Sequence, residues 1–104
     1  MQDRFLLKVY VPSENVIRDV AVRYVPEDED YTLFQCTGLK DKNGNLVWEY
    51  DRVQDETNGD VFIVLWSKSQ SKFYLKNEKT HKVWFFMQYV MECVDLGSSL
   101  KKEN

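Results

Sequence analysis

The stretch TGLKDKNGNLVWEYDRV, residues 37–53, decides the fold expected for this chain. Its central pair Asn43-Gly44 is a strong local signal for a β-hairpin, since both residues tolerate positive φ and suit a type I′ turn. Residues 31–37 form a candidate strand before the turn, and residues 46–53 form the strand that returns. Side chains of the returning strand alternate between two faces, one with Leu46, Trp48 and Tyr50 and the other with Val47, Glu49 and Asp51.

Short β-like segments continue on both sides of this hairpin. Residues 5–11 and 16–25 precede it and are rich in valine, whose branched side chain favours strands over helices. Residues 61–66 and 72–76 follow it with the same character. A second Asn-Gly pair, at residues 58–59, marks a further turn. The chain is therefore expected to be a succession of short strands and turns.

The last apolar segment, residues 83–96, has two interpretations. Its apolar residues fit helical spacing, but Val83–Phe86 favours β structure and every earlier element is β. We therefore predict two short strands or one bent strand here. Two polar stretches complete the pattern: the acidic residues 27–30 are expected to form a solvated loop, and residues 97–104 a frayed polar tail.

The whole pattern predicts an all-β fold. About seven short strands, with a turn roughly every ten residues and no βαβ alternation, are typical of a small SH3-like or related, partly open barrel, with room for a short C-terminal helix. The length of 104 residues fits one domain spanning residues 1–104. No apolar run approaches the roughly 20 residues that cross a membrane, and the N-terminus has no signal-peptide pattern. We expect no membrane association.

Charge is distributed unevenly along the chain. The net charge of -3 combines 7 basic and 13 acidic side chains in residues 1–60 with 7 basic and 4 acidic side chains in residues 61–104. In the second half a lysine recurs every three or four residues, at Lys68, Lys72, Lys76, Lys79 and Lys82. Such a series could form a basic patch for phosphates, but we favour lysines that solvate a hairpin and protect a sheet edge.

No set of residues has the pattern of a catalytic, metal or cofactor site. His81 is the only histidine and lies in a polar, turn-like stretch, while Cys36 and Cys93 belong to no CxxC pair and are predicted to be free thiols. Glu49 and Asp51 share a strand face at a spacing that paired carboxylates or a hard metal ion could use. We favour the solvated face of a strand, and Asp51 could equally cap a turn or accept backbone N–H bonds. We predict no enzymatic activity, no metal and no cofactor.

The tryptophans raise one further question of function. Trp48, Trp66 and Trp84 could stack on single-stranded nucleic acid, as aromatic residues of small barrels often do. The overall acidity disfavours a general nucleic-acid binder, so packing in a core or an interface is the default interpretation.

The central hairpin also resembles a known family signature. Residues 37–44 read TGLKDKNG and residues 48–53 read WEYDRV, which resembles the YopX family of bacteriophage and prophage proteins, where TGLKDKNG is followed by YEGDIV. Glu49, Asp51 and Val53 agree with that pattern, whereas Tyr50 and Arg52 depart from it. The family glycine at residue 50 would permit a bulge or close backbone approach that tyrosine resists.

This resemblance, which covers residues 33–76 well, implies a phage or prophage origin, a β-rich barrel-like fold and self-association. It supplies no activity and no recognised catalytic or ligand-binding residues. We predict a small accessory protein in the cytoplasm of the bacterial host that binds through protein contacts, forming homo-oligomers or binding a host or phage protein. The candidate binding residues are Trp48, Glu49, Tyr50 and Asp51.

Two other roles remain open at this point. The chain could be a nucleic-acid-associated protein that uses the lysine-rich hairpin of residues 68–82. Its acidic half could also act as a decoy for a host nucleic-acid-binding protein.

Overall fold

The computed structural model describes residues 6–21 and 32–100 of the chain. Two compact units are distinguished, residues 1–35 with 100–104 and residues 36–99. The described residues form ten strands in three antiparallel sheets and one short 3-10 helix, so the prediction of a mainly β fold is confirmed. They include no helix long and apolar enough to span a membrane. The single domain expected for the chain stays a prediction.

The first unit contains a three-stranded sheet with the order β2-β1-β3. Its strands are β1 (Leu6–Val11), β2 (Val16–Ala21) and β3 (Thr32–Phe34). Val9 and Val11 of β1 are fully buried. The two early strands are therefore confirmed over their described residues, whereas the predicted acidic loop at residues 27–30 lies outside the described part.

The second unit contains a two-stranded and a five-stranded sheet. The smaller sheet pairs β4 (Cys36–Lys40) with β5 (Leu46–Trp48). The larger sheet has the order β10-β6-β7-β8-β9 and consists of β6 (Asp51–Gln54), β7 (Val61–Ser67), β8 (Lys72–Asn77), β9 (Val83–Trp84) and β10 (Val94–Ser98). A 3-10 helix, Met87–Glu92, lies between β9 and β10.

Alternation along β7 and β8 builds the core of the second unit. The cross-strand partners Val64 and Leu75 have no exposed surface, and Phe62 is buried beside them. Val90 from the 3-10 helix and Cys93 just after it belong to the same buried cluster. The β7 residues of opposite parity are only partly buried, so the larger sheet packs one of its faces inward.

Two of the predicted strands are interrupted. The segment 31–37 breaks at Gln35 into β3 and β4, and the segment 46–53 breaks at Glu49-Tyr50 into β5 and β6. The second break has a clear cause, because Tyr50 has a φ of 71°, which is incompatible with extended backbone. Ten short strands therefore replace the seven or so expected, and the described residues form no closed barrel.

The C-terminal segment combines both interpretations of its sequence. Residues 83–96 hold β9, the 3-10 helix and the start of β10, so two short strands and a short helix are all present. Gly97 and Ser98 pair with β6. The frayed tail predicted for residues 97–104 is therefore wrong for these two residues, and residues 101–104 lie outside the described part.

The hairpin at Asn43-Gly44 is present, but its predicted type I′ turn is wrong. Gly44 has a φ of 85°, whereas Asn43 does not have a positive φ. Gly44 N–H donates to the Asp41 carbonyl over 3.1 Å, and Asp41 N–H donates to the Asn45 carbonyl over 2.8 Å. These bonds define a type I turn centred on Lys42-Asn43 and followed by a left-handed glycine. Only the glycine needs positive φ in this arrangement.

Candidate functional site

The carboxylate of Asp41 lies at the centre of the hairpin turn at Asn43-Gly44, which we call the signature turn. Asp41 is buried, and its Oδ1 accepts from the N–H groups of Asn43 over 3.0 Å and Asn45 over 2.8 Å. Its Oδ2 accepts from the Asn45 side-chain amide over 3.4 Å and from Asp95 N–H over 2.8 Å. One carboxylate therefore fixes the hairpin loop and ties it to β10.

These hydrogen bonds decide the protonation of Asp41. Burial alone would raise the pKa of its carboxyl, but the bonds from Asp95, Asn45 and Asn43 together outweigh burial and hold this pKa below its ordinary value. The group is a carboxylate at neutral pH, and structural donors occupy both of its oxygens. We interpret Asp41 as a structural residue, not as an acid or base.

The backbone of Tyr50 has a conformation that is unusual for tyrosine. Tyr50 N–H donates to the Val64 carbonyl in β7 over 2.7 Å, and its carbonyl accepts from Ser99 N–H over 2.7 Å. These two bonds hold the residue between β7 and the end of β10 at a positive φ, a conformation that glycine adopts without strain. Tyr50 thus adopts a conformation that suits glycine, and the expected departure in local geometry from the family stays a prediction.

The candidate binding residues around Tyr50 are less accessible than predicted. Glu49 is 7% exposed and Asp51 is 2% exposed, so their interpretation as the solvated face of a strand is wrong. Asp51 Oδ2 accepts Trp48 N–H over 3.0 Å, which is the alternative role of capping a turn. Trp48 and Tyr50 are partly buried. The four residues form one tight turn, and a binding role for them stays a prediction.

Burial also changes the ionisation of Tyr50. Its pKa lies above the ordinary value because the side chain is partly buried and because the Glu49 carboxylate lies close to it and is hydrogen-bonded to it. The phenol is therefore protonated at neutral pH.

Comparing glycine with alanine at residue 50 isolates the strain of the positive φ. Both variants lose the tyrosine side chain, so we expect Tyr50→Gly to be more stable than Tyr50→Ala by about 1 kcal/mol. The free energy of unfolding in urea measures this difference. At Arg52, in β6 and without positive φ, the same pair should show the opposite order. Equal stability of the two residue-50 variants would contradict the assignment of strain.

The lysine series does not form one stripe. Lys68 lies in the turn between β7 and β8, whereas Lys79 and Lys82 lie at the opposite end of the sheet, in the connection between β8 and β9. Lys72 and Lys76 share one face of β8, and the Lys72 ammonium is 4.6 Å from the centroid of the Phe85 ring. The structure therefore separates the predicted basic patch into a turn, a sheet face and a second turn.

A second carboxylate site, not predicted from the sequence, joins Asp55 to Tyr89. The Tyr89 hydroxyl donates to Asp55 Oδ2, and Asp55 Oδ1 accepts from the Thr57 amide over 2.9 Å and the Thr57 hydroxyl over 2.6 Å. Hydrogen bonds, first that of the Thr57 side chain, lower the pKa of Asp55. Burial and the nearby Asp55 carboxylate raise the pKa of Tyr89 far above its ordinary value.

The Asp55 site is structural in character, because it ties the 3-10 helix to the loop after β6. The Asp-x-Thr spacing of residues 55–57 is a recognisable turn signal, since a carboxylate often accepts an N–H two residues on. No local signal predicts Tyr89, because it lies 34 residues away along the chain.

Tyr89 also belongs to an aromatic cluster under β9. Trp84 lies over Phe62 with ring centroids 5.5 Å apart and an angle of 30° between the planes. Tyr89 meets Trp84 at 5.6 Å and Phe62 at 5.5 Å, in both cases edge to face. Trp84 nevertheless remains 48% exposed. The cluster therefore holds one indole firmly at the surface.

The remaining candidate groups do not assemble into a reactive site. Cys93 is buried, which raises the pKa of its thiol to about 11, and Cys36 is an exposed free thiol. His81 lies exposed in the β8–β9 connection with a φ of 65°. Within residues 6–21 and 32–100, no three His, Cys, Asp or Glu side chains are grouped to hold a metal ion.

Comparison with known proteins adds one family relationship to this geometry. The model of the family described as YopX protein matches residues 9–96 of the chain. That match includes the signature turn, the Asp55–Tyr89 pair and the aromatic cluster under β9. None of the curated proteins compared with the chain matches it.

Proposed function

Because this chain belongs to the YopX family, we propose that it is a small phage- or prophage-encoded accessory protein that acts by binding other proteins and by self-association. It works in the cytoplasm of the bacterial host and has no catalytic activity. The described side chains support this role. The buried carboxylates accept hydrogen bonds within the fold, whereas exposed apolar side chains are available for contacts with other proteins.

The observation that carries this proposal is the apolar surface after β9. Phe86 is 61% exposed and Met91 is 54% exposed, although both belong to residue types that are usually buried. The adjacent strand β9 lies at the edge of the larger sheet, and because it has only two residues, the contact with another chain must come mainly from these side chains. Exposed apolar side chains next to an open sheet edge are typical of a protein interface.

The double variant Phe86→Asp/Met91→Asp tests the interface. We expect the wild-type chain to form oligomers larger than its 12.4 kDa monomer at micromolar concentration, and the double variant to be shifted to monomer. Light scattering coupled to gel filtration measures the mass. Leu46→Asp, at a similarly exposed leucine in β5, serves as the control and should leave the oligomer intact.

Two results would contradict the proposal. A wild-type chain that is monomeric at every concentration tested would remove the self-association. If host lysate also yields no reproducible partner that the wild-type chain retains and the double variant loses, the protein-binding role fails as well.

A further inference from the structure

The exposed indole of Trp84 is unusually well supported for a surface side chain. Phe62 packs against it and Tyr89 meets it edge to face, while Tyr89 itself is held by its hydrogen bond to Asp55. With about half of its surface open, Trp84 offers a flat aromatic face whose position is fixed in advance. Fixing the ring beforehand lowers the entropy lost when a planar ligand stacks on it.

A groove of about 210 Å³ lies beside this indole. Its lining combines the aromatic rings of Trp84 and Phe62 with one cation, one carboxylate, one hydroxyl and one amide, from Lys82, Asp60, Thr80 and Asn77. The lysine can bind an anion, the carboxylate can accept from an amine, and the indole can stack on a planar ring. A nucleotide combines all three of these ligand features.

A second depression has two lining residues in common with this groove. It has a volume of about 280 Å³, shares Asp60 and Asn77 with the first and adds Lys79. Glu78 also lines it, but its carboxylate is paired with Arg52 through two hydrogen bonds of 2.7 and 2.9 Å. Lys82 and Lys79 therefore line two depressions that have Asp60 and Asn77 in common.

We propose that this Trp84 groove binds single-stranded nucleic acid. One base stacks on the open face of Trp84, and Lys82 and Lys79 contact phosphates on the same strand. The Asp60 carboxylate accepts from the exocyclic amine of the stacked base, so cytosine and adenine bind better than thymine and uracil. A base inside a duplex has no free face, so double-stranded DNA is excluded.

This inference goes beyond the protein-binding role and uses different side chains. Phe86 and Met91 do not line the groove. The chain carries a net charge of -3, so affinity must come from stacking and two local lysines. Two phosphate contacts on a single strand predict a slope of only about -1.4 for the logarithm of affinity against the logarithm of salt concentration.

Fluorescence anisotropy of labelled oligonucleotides tests the groove. We expect oligo-dC to bind the full chain more tightly than oligo-dT, and a duplex of the same length to bind least. Trp84→Leu should weaken oligo-dC binding by roughly 5- to 150-fold, the range found for removing one stacking platform. Phe85→Leu, at an exposed aromatic residue outside the groove, is the matched control and should not change the affinity.

A charge variant tests the same groove without touching the aromatic cluster. Lys82→Glu changes an exposed side chain, so the fold should persist while oligo-dC binding falls and the salt slope loses about 0.7. Lys68→Glu makes the same change at the far end of the sheet and should have a much smaller effect. Asp60→Asn should narrow the preference for oligo-dC over oligo-dT, since its amide can also donate to thymine.

Each remaining outcome counts against the proposal. It is overturned if no oligonucleotide binds at about 50 mM salt, where charged contacts are strong. It also fails if the duplex binds as well as the single strand, or if Lys82→Glu and Lys68→Glu behave alike. Equal binding of cytidine monophosphate and oligo-dC would assign a mononucleotide site instead. An acidic peptide that binds where oligonucleotides do not would assign a protein site.

Discussion

Asp41→Ala is expected to lower the free energy of unfolding by about 3 kcal/mol, because it removes a buried, charged acceptor from four hydrogen bonds. The loss includes the tie between the hairpin loop and Asp95 in β10. Urea unfolding followed by tryptophan fluorescence measures it, since all three tryptophans lie in the unit of residues 36–99. Asp60→Ala removes an exposed carboxylate and should cost no more than about 0.5 kcal/mol.

The same substitution should change the response to acid. The folded chain holds the pKa of Asp41 below its ordinary value, so the unfolded chain takes up a proton first as the pH falls. The stabilisation by Asp41 is therefore complete above about pH 4 and is lost as the pH falls through the folded pKa. Asp41→Ala should show a shallower loss of stability below pH 4. An unchanged acid profile would contradict the assigned role.

Leu75→Ala is the second substitution with a large expected effect. Leu75 has no exposed surface and lies opposite Val64 in β7 and Trp84 in β9, so truncation leaves a cavity in the core. Buried Leu→Ala changes cost about 2–5 kcal/mol, and this site should fall within that range. The melting temperature and the free energy of unfolding in urea both report the loss.

The same Leu→Ala change at Leu46 serves as the control for the cavity at Leu75. Leu46, at the start of β5, is 45% exposed, so Leu46→Ala should change stability by less than about 0.5 kcal/mol. If the two substitutions cost the same, Leu75 would not occupy the core of the larger sheet.

The sequence predicted most elements of the fold because their signals are local. Strand regions follow from β-branched and alternating side chains, and the hairpin follows from Asn43-Gly44. The predicted type I′ turn is wrong because Asn-Gly also fits a loop in which only the glycine has positive φ. The strand break at Tyr50 could not be predicted either, because tyrosine normally favours strands. Two backbone hydrogen bonds to distant residues hold it in a left-handed conformation.

The candidate site depended more strongly on distant contacts. Glu49 and Asp51 alternate with apolar residues, which indicated a solvated face, yet both are buried in the turn. The pairing of Asp55 with Tyr89 and the support of Trp84 by Phe62 join residues 34 and 22 positions apart. No pattern in a single sequence encodes such contacts, because they arise when the 3-10 helix meets the loop after β6 and when Trp84 of β9 packs against Phe62 of β7.

The sequence by itself determined the β character, the central hairpin and the family resemblance, because turn chemistry and side-chain alternation act over a few residues. Tertiary structure alone decided that Asp41 ties the hairpin to β10, that Tyr50 takes a glycine-like conformation and that Trp84 remains at the surface. Each of these depends on groups brought together by packing, where burial and hydrogen bonds outweigh local preference.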